Sequence, residues 1–281
     1  MEDLQGVLSR HEFAFKKQFG QNFISDPNLL CAIVADAGVD SASTVLEIGT
    51  GAGTLTREIS KVAGRVVSYE IDKSLQPVLA ETLRGCENVE VRFADFSKAA
   101  LGKLEEELGE YCVIANLPYY ITTPLIARFL DEGTKVKSLT VMVQEEVAER
   151  LCAREDTPEY GAITAALALR ATAKIVRRVP KTMFRPRPKV DSAVVRIDFC
   201  GERLPVKDKK TYRETVRCAF LSRRKTLENN LVNAFSLTRD EAKTVLTRAG
   251  VPEKARGETL SPERLARLSD ALFDFRREKD N

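Results

Sequence analysis

The residues with most chemistry to offer sit at the ends of apolar runs. Asn116-Leu117-Pro118-Tyr119 follows one of them. An exocyclic amine on adenine is a poor nucleophile, because its lone pair is delocalised into the ring. An Asn116 side-chain oxygen and a Leu117 carbonyl, each accepting one N–H, would favour a pyramidal nitrogen and free that lone pair. Pro118 brings no amide donor and stiffens the turn. Tyr119 offers a ring face on which an extruded base can stack. A second group is Glu47-Ile-Gly49-Thr-Gly51-Ala-Gly53, whose glycines allow a tight turn and close approach of a ligand. Its spacing is GxGxG, whereas dinucleotide sites use GxGxxG. Further on come Glu70, able to accept both hydroxyls of a ribose, and Asp95, placed to meet an adenine edge. Four such strand ends facing one crevice would hold a nucleoside, although a dinucleotide site of the same general type stays open.

To bring these groups together the chain must alternate strands and helices. Asp26-Pro27 predicts a helix start, with Asp as N-cap and Pro at the first position, and Gly38 its end. Strands are expected at Thr44–Ile48, Arg65–Tyr69, Val89–Phe93, Tyr111–Ala115 and Leu139–Val143, with a helix from about Thr54 to Val62. Strands separated by helices imply a parallel sheet. Ala173–Val179 and Ser192–Phe199 read as a strand pair joined by a Pro-rich loop. Beyond Gly201–Asp208 only helices are expected. Thr238-Arg-Asp-Glu241 forms a capping box, Gly250 and Pro252 a stop, and Ser261-Pro262 a final start. This predicts an α/β domain over 1–203 and a small all-helical domain over 204–281.

The 281 residues carry a net charge of +3, with 43% hydrophobic and 30% charged residues, so a disordered or fibrous chain is excluded. One histidine, His11, leaves no His-centred triad and no metal site with two His ligands, and no metal is expected. Cys31, Cys86, Cys112, Cys152, Cys200 and Cys218 form no CxxC pair and are expected to be reduced, buried and structural, as suits a cytoplasmic protein. No signal peptide or membrane anchor is visible, the longest uncharged stretch being Tyr111 to Ala127. Basic charge is concentrated. Lys174, Arg177, Arg178, Lys181, Arg185, Arg187 and Lys189 have no acid among them, and a second run leads to Arg223-Arg224-Lys225. Two such runs on a nearly neutral chain point to a polyanion-facing side.

The chain resembles the KsgA-type small-subunit (16S) ribosomal RNA adenine N6,N6-dimethyltransferases. The resemblance rests on Lys17–Phe23, Glu47–Gly51, Asn116–Ile121, Phe184–Val194 and Arg223–Leu231, in family order. It implies a Rossmann-like class I methyltransferase sheet using S-adenosylmethionine. It further implies that Asn22 and Ile24 close over the methionine and ribose part. Gly49 and Gly51 form the glycine turn, Glu70 takes the ribose hydroxyls and Asp95 the cofactor's adenine amine. Asn116 lies between cofactor and target base, and Phe184 is a second aromatic wall opposite Tyr119. Arg185, Arg187, Lys189, Arg223, Arg224 and Lys225 are expected to meet RNA. Thr50 stands where the bacterial family commonly has proline. The implied substrate is a pair of adjacent adenosines near the 3′ end of 16S rRNA in an assembling 30S subunit, and the enzyme is expected to be a monomer away from membranes. Three other readings remain at this point: an Erm-type enzyme acting on large-subunit RNA, a non-enzymatic assembly or transcription factor on the same fold, and an NAD-linked dehydrogenase.

Overall fold

The computed structural model describes residues 4–16 and 21–279, so Lys17–Gly20 of the first motif lie outside the described residues. The chain divides into two compact units. The first is Met1–Ala148 with Ala173–Phe199; the second is Glu149–Thr172 with Cys200–Asn281.

In the first unit the elements in chain order are α1 (Leu4–Arg10), β1 (Phe23–Ile24), α2 (Pro27–Ala37), β2 (Thr44–Ile48), α3 (Thr54–Ser60), β3 (Arg65–Glu70), α4 (Gln76–Thr82), β4 (Val89–Phe93), α5 (Leu101–Leu108), β5 (Tyr111–Asn116), α6 (Tyr119–Glu132) and β6 (Val136–Gln144). After α7 (Glu145–Leu151) and α8 (Ala162–Leu167) the sheet is completed by β7 (Ala171–Val179) and β9 (Ser192–Phe199), with β8 (Phe184–Arg185) between them. The seven-stranded order is β4-β3-β2-β5-β6-β9-β7. β4 to β6 run parallel and β9 runs antiparallel to β6. This is the Rossmann-like sheet that the resemblance implies. Helix α2 starts where the sequence places it, Asp26 accepting from the Asn28 and Leu29 amides, and ends at Gly38 in the left-handed region at φ 62°. The central strands are nearly continuous apolar runs because helices cover both faces, and Val45, Val66, Val67, Val113 and Ile114 are fully buried. α1 and the two-residue β1–β8 pair have no counterpart in the sequence reading, and α3 stops at Ser60 rather than Val62.

The second unit packs α8, α9 (Lys209–Ala219), α10 (Leu227–Phe235), α11 (Arg239–Arg248) and α12 (Pro262–Lys279) around Tyr160, Tyr212, Leu231, Leu246, Leu265 and Leu272. Tyr212 donates to the Ala165 carbonyl at 2.9 Å and Tyr160 to the Leu260 carbonyl at 3.0 Å. The expected 1–203 segment therefore does not stay whole: Glu149–Thr172 and Cys200–Arg203 belong with the helices. The cause is tertiary, since Tyr160, Ala165 and Leu169 find their apolar partners only there. The Thr238–Glu241 capping box forms with both reciprocal bonds. Among the described residues the six cysteines form no disulfide; Cys31 and Cys200 are exposed and only Cys218 is buried, which corrects the expectation that they are core residues. Among the described residues no helix is long and apolar enough to cross a membrane.

Candidate active site

The turn after β2 is made by glycine for two reasons. Gly49, Gly51 and Gly53 take φ of 83°, 55° and 80°, which L side chains rarely adopt. The space is also taken: a Cβ on Gly51 would lie 3.1 Å from the Phe23 ring, and one on Gly49 would lie 3.2 Å from Leu117 Cδ2. Gly49 and Thr50 amides donate to the Tyr69 carbonyl at 2.8 and 3.2 Å, pinning the turn to β3.

Glu70, at the end of β3, is buried. Its Oε2 accepts from the Gly51 amide and its Oε1 from the Asp72 amide, both at 2.8 Å. Burial raises its pKa, outweighing those two bonds. Asp95 follows β4 and caps a short 3-10 turn. Its Oδ1 accepts from the Ser97 amide and hydroxyl, which hold its pKa below the usual carboxylate value. Asn116 ends β5, and its Nδ2 donates to the Asn22 carbonyl at 3.3 Å. Pro118 caps α6, so Tyr119 is that helix's first residue. The Tyr119 hydroxyl lies 2.8 Å from Ser192 Oγ on β9, and burial raises its pKa.

The N-terminal segment is fastened over this region from both sides. Lys16 Nζ and Gln21 Nε2 donate to the Asp72 carboxylate at 2.6 and 3.0 Å, and Thr54 Oγ1 donates to the Ile24 carbonyl at 3.0 Å. A cavity of about 450 Å³ results, and it gathers Asn22, Ile24, Gly49, Gly51, Glu70, Asp95 and Asn116 with Leu117, Pro118 and Tyr119. Phe184 is not among the lining residues. It is 2% exposed and packs in the core with Ile24, Val179 and Met183, so in this conformation it is an apolar plug rather than an open wall. Arg185, Arg187, Lys189, Arg224 and Lys225 are exposed. Arg223 is exposed too, but its guanidinium donates to the carbonyls of Pro158, at 2.6 Å, and Tyr160.

Sequence reasoning missed two contributors. Arg128 on α6 donates to the carbonyls of Phe96, Ser97 and Ala99 and lies over the Phe96 ring, bracing the loop that carries Asp95. Nothing local in the sequence marks it. Tyr120, 66% exposed, lines the cavity beside Tyr119, and its place after Pro118 was the available signal.

These acceptors and walls fit an adenosyl ligand. Carboxylate oxygens that each take one amide keep lone pairs for ribose hydroxyls. The glycine turn is a cradle that a Cβ would crowd, and Ile71, Phe96 and Leu125 add apolar wall. Comparison with known proteins agrees. A family model described as "Ribosomal RNA adenine dimethylase" matches residues 12–273. The chain is similar to Ribosomal RNA small subunit methyltransferase A of Clostridium botulinum (strain Kyoto / Type A2), 41% identical over 270 residues, 96% of this chain and 98% of that one. It is similar also to the protein of that name from Shouchella clausii (strain KSM-K16), 42% identical over 283 residues, 98% and 95% of the two chains. Among solved structures, a dimethyladenosine transferase from Plasmodium falciparum superposes with a TM-score of 0.74 at 25% identity, over 92% of this chain and 98% of that one. The 23S rRNA methyltransferase ErmE gives 0.69 at 29% identity, over 89% and 99%.

Proposed function

Because the chain belongs to the ribosomal RNA adenine dimethylase family, we propose that it dimethylates the N6 amines of two adjacent adenosines near the 3′ end of 16S rRNA, in the assembling 30S subunit. The observation that carries this is the meeting of two chemistries in one cavity: the Glu70 and Asp95 acceptors for an adenosyl group, and the Asn116–Tyr119 turn.

S-adenosylmethionine, when bound, supplies an electrophilic sulfonium methyl. The protein's part is to hold and to orient. Glu70 accepts the ribose hydroxyls, Asp95 the adenine amine, and Asn22 and Ile24 cover the remainder. Asn116 spends its Nδ2 on the Asn22 carbonyl, which fixes the amide plane and reserves Oδ1 for a hydrogen of the target amine. The Leu117 carbonyl accepts the other hydrogen, leaving the nitrogen lone pair for attack. Stacking on Tyr119 contributes ~1–3 kcal/mol against the cost of extruding the base. Phe184 joins that stack once the short β1–β8 pair that covers it gives way. No strong base is needed, because the methylated nitrogen becomes acidic when its lone pair is used. Arg185, Arg187, Lys189, Arg224 and Lys225 meet phosphates, the last two from the helical unit, which serves as the ribosome-binding part. The reaction belongs in the cytoplasm, and the enzyme acts as a monomer.

The two relatives named for the small subunit are 41% and 42% identical and the 23S enzyme 29%, which favours 16S over 23S RNA as substrate. A non-catalytic assembly factor would have no use for the intact Asn116–Tyr119 turn. Methyl transfer to 30S subunits lacking the modification, followed by mass mapping, tests the reading. Asn116→Ala is expected to lower turnover ~100-fold or more, as loss of a transition-state hydrogen bond does, while cofactor still binds. Near-wild-type methylation by that variant overturns the role given to Asn116.

A further inference from the structure

Glu47 on β2 is fully buried and lies outside the cavity lining. Its Oε2 accepts from Thr56 Oγ1 of α3 and from Ser68 Oγ of β3, both at 2.6 Å. Ser68 Oγ lies 2.6 Å from Thr50 Oγ1. Since the Ser68 proton is committed to Glu47, Thr50 is the donor in that last bond. Thr50 belongs to the glycine turn and does line the cavity. Helix, two strands and turn are therefore joined by two hydroxyls on one carboxyl and a third, Thr50, that reaches it through Ser68.

We propose that Glu47 is a positioning residue: acting through Ser68 and Thr50 it sets the glycine turn that receives the adenosyl group, without touching that group itself. The inference rests on the cofactor reading given above. Burial is the main cause that pushes the Glu47 carboxyl up to about 8, with the Glu70 charge adding to it and the Ser68 and Thr56 bonds opposing. Its Oε1 has no hydrogen-bond partner. An ionised carboxyl with one bare oxygen is costly in a dry site, and an uncharged one much less so. The groups facing it are few. β3 brings Ser68 and Glu70, β5 brings Ile114 in register, and α3 brings Thr56. Glu70 is the one that titrates. As pH rises through about 8, charge forms on Glu47 beside Glu70 in a dry site, and the Ser68 and Thr56 bonds offset only part of that burial and repulsion. An amide at this position keeps the acceptor and removes the titration.

The test is the affinity for S-adenosylhomocysteine, measured by calorimetry between about pH 6.5 and 9 on the full chain, a range that brackets the Glu47 titration. Glu47→Gln is expected to stay within about threefold of wild type at neutral pH. Glu47→Leu is expected to weaken binding about tenfold or more, as loss of a buried bond network does. Thr50→Val and Ser68→Ala, which keep the core volume, each weaken it severalfold and keep the inference testable should Glu47→Leu not fold. Above about pH 8 the wild type loses affinity relative to Glu47→Gln. Wild-type affinity in Thr50→Val and Ser68→Ala, or equal losses in Glu47→Gln and Glu47→Leu, overturns the proposal. A wild type that takes up no S-adenosylhomocysteine at any pH instead overturns the reading of the cavity.

Discussion

Replacing Arg223 by Ala separates a structural cation from its neighbours in the second basic run. The guanidinium bridges the Pro158 and Tyr160 carbonyls, joining the loop before α10 to the segment before α8. A hydrogen bond from a charged donor contributes ~1.5–3 kcal/mol when sheltered, and Arg223 is exposed, so the pair together is worth ~1–3 kcal/mol. For a chain of this size that lowers Tm by roughly 2–10 °C. Arg224 and Lys225 are exposed and, under the proposed function, meet phosphates. Removing one cation that pairs with a phosphate should flatten the plot of log K against log salt by about 0.7–0.9. Thermal unfolding and RNA-binding titrations at about 50 to 300 mM KCl give both readouts. Arg223→Ala is expected to lose stability and keep the wild-type slope. The double variant Arg224→Gln, Lys225→Gln is expected to keep its Tm and lose about 1.4–1.8 from the slope. A flattened slope with unchanged Tm in Arg223→Ala would refute the separation and return Arg223 to the RNA-contacting set.

Two further outcomes follow from buried polar groups. Glu105 on α5 accepts from the Tyr111 hydroxyl, the Thr134 amide and hydroxyl, and the Lys135 amide. Burial alone would raise its pKa, but these bonds win and hold it below the usual value. A depressed carboxylate stabilises the fold above its unfolded pKa and ceases to as pH falls through the folded one. Glu105→Gln should therefore cost ~1–3 kcal/mol at neutral pH, and denaturation curves should show the deficit shrinking below about pH 4.5; a deficit independent of pH contradicts this. Tyr212→Phe, which leaves the Ala165 carbonyl without its 2.9 Å donor, should cost ~1–3 kcal/mol of stability while methyl transfer persists, as read by urea unfolding and a transfer assay.

The legible parts of the sequence were those in which a local pattern meets a local need. Thr44–Ile48, Val89–Phe93 and Ser192–Phe199 occupy the strands expected; the first and last bury β-branched apolar residues under helices, while Val89–Phe93, at the sheet edge, alternates apolar and charged residues. Glu70 and Asp95 could be read as acids at strand ends, and the Asp26 and Thr238 caps from side chains that bond backbone within three residues. Where a partner lies far along the chain no such signal exists. Arg223 looks like any other cation in its run until the Pro158 and Tyr160 carbonyls are placed beside it. Glu47 reads as one more letter of the glycine motif, and only its burial reveals the hydroxyls around it. Phe184 sits in an aromatic and Pro-rich stretch that suggests an open ring, yet β1 covers it, and a two-residue strand has too few positions to show a period.

The interleaving of the two units bears on how the protein is made. Translation delivers Glu149–Thr172 well before Cys200–Asn281, although both belong to one core. During that interval Tyr160, Ala165 and Leu169 have been synthesised but the helices that will bury them have not. The sheet strand Ser192–Phe199 also emerges in between, so neither core is contiguous in time. A nascent chain halted just after that strand carries an apolar loop waiting for its partners, and the last helix to appear, α12, supplies Leu265, Leu268 and Leu272 to the core that encloses it.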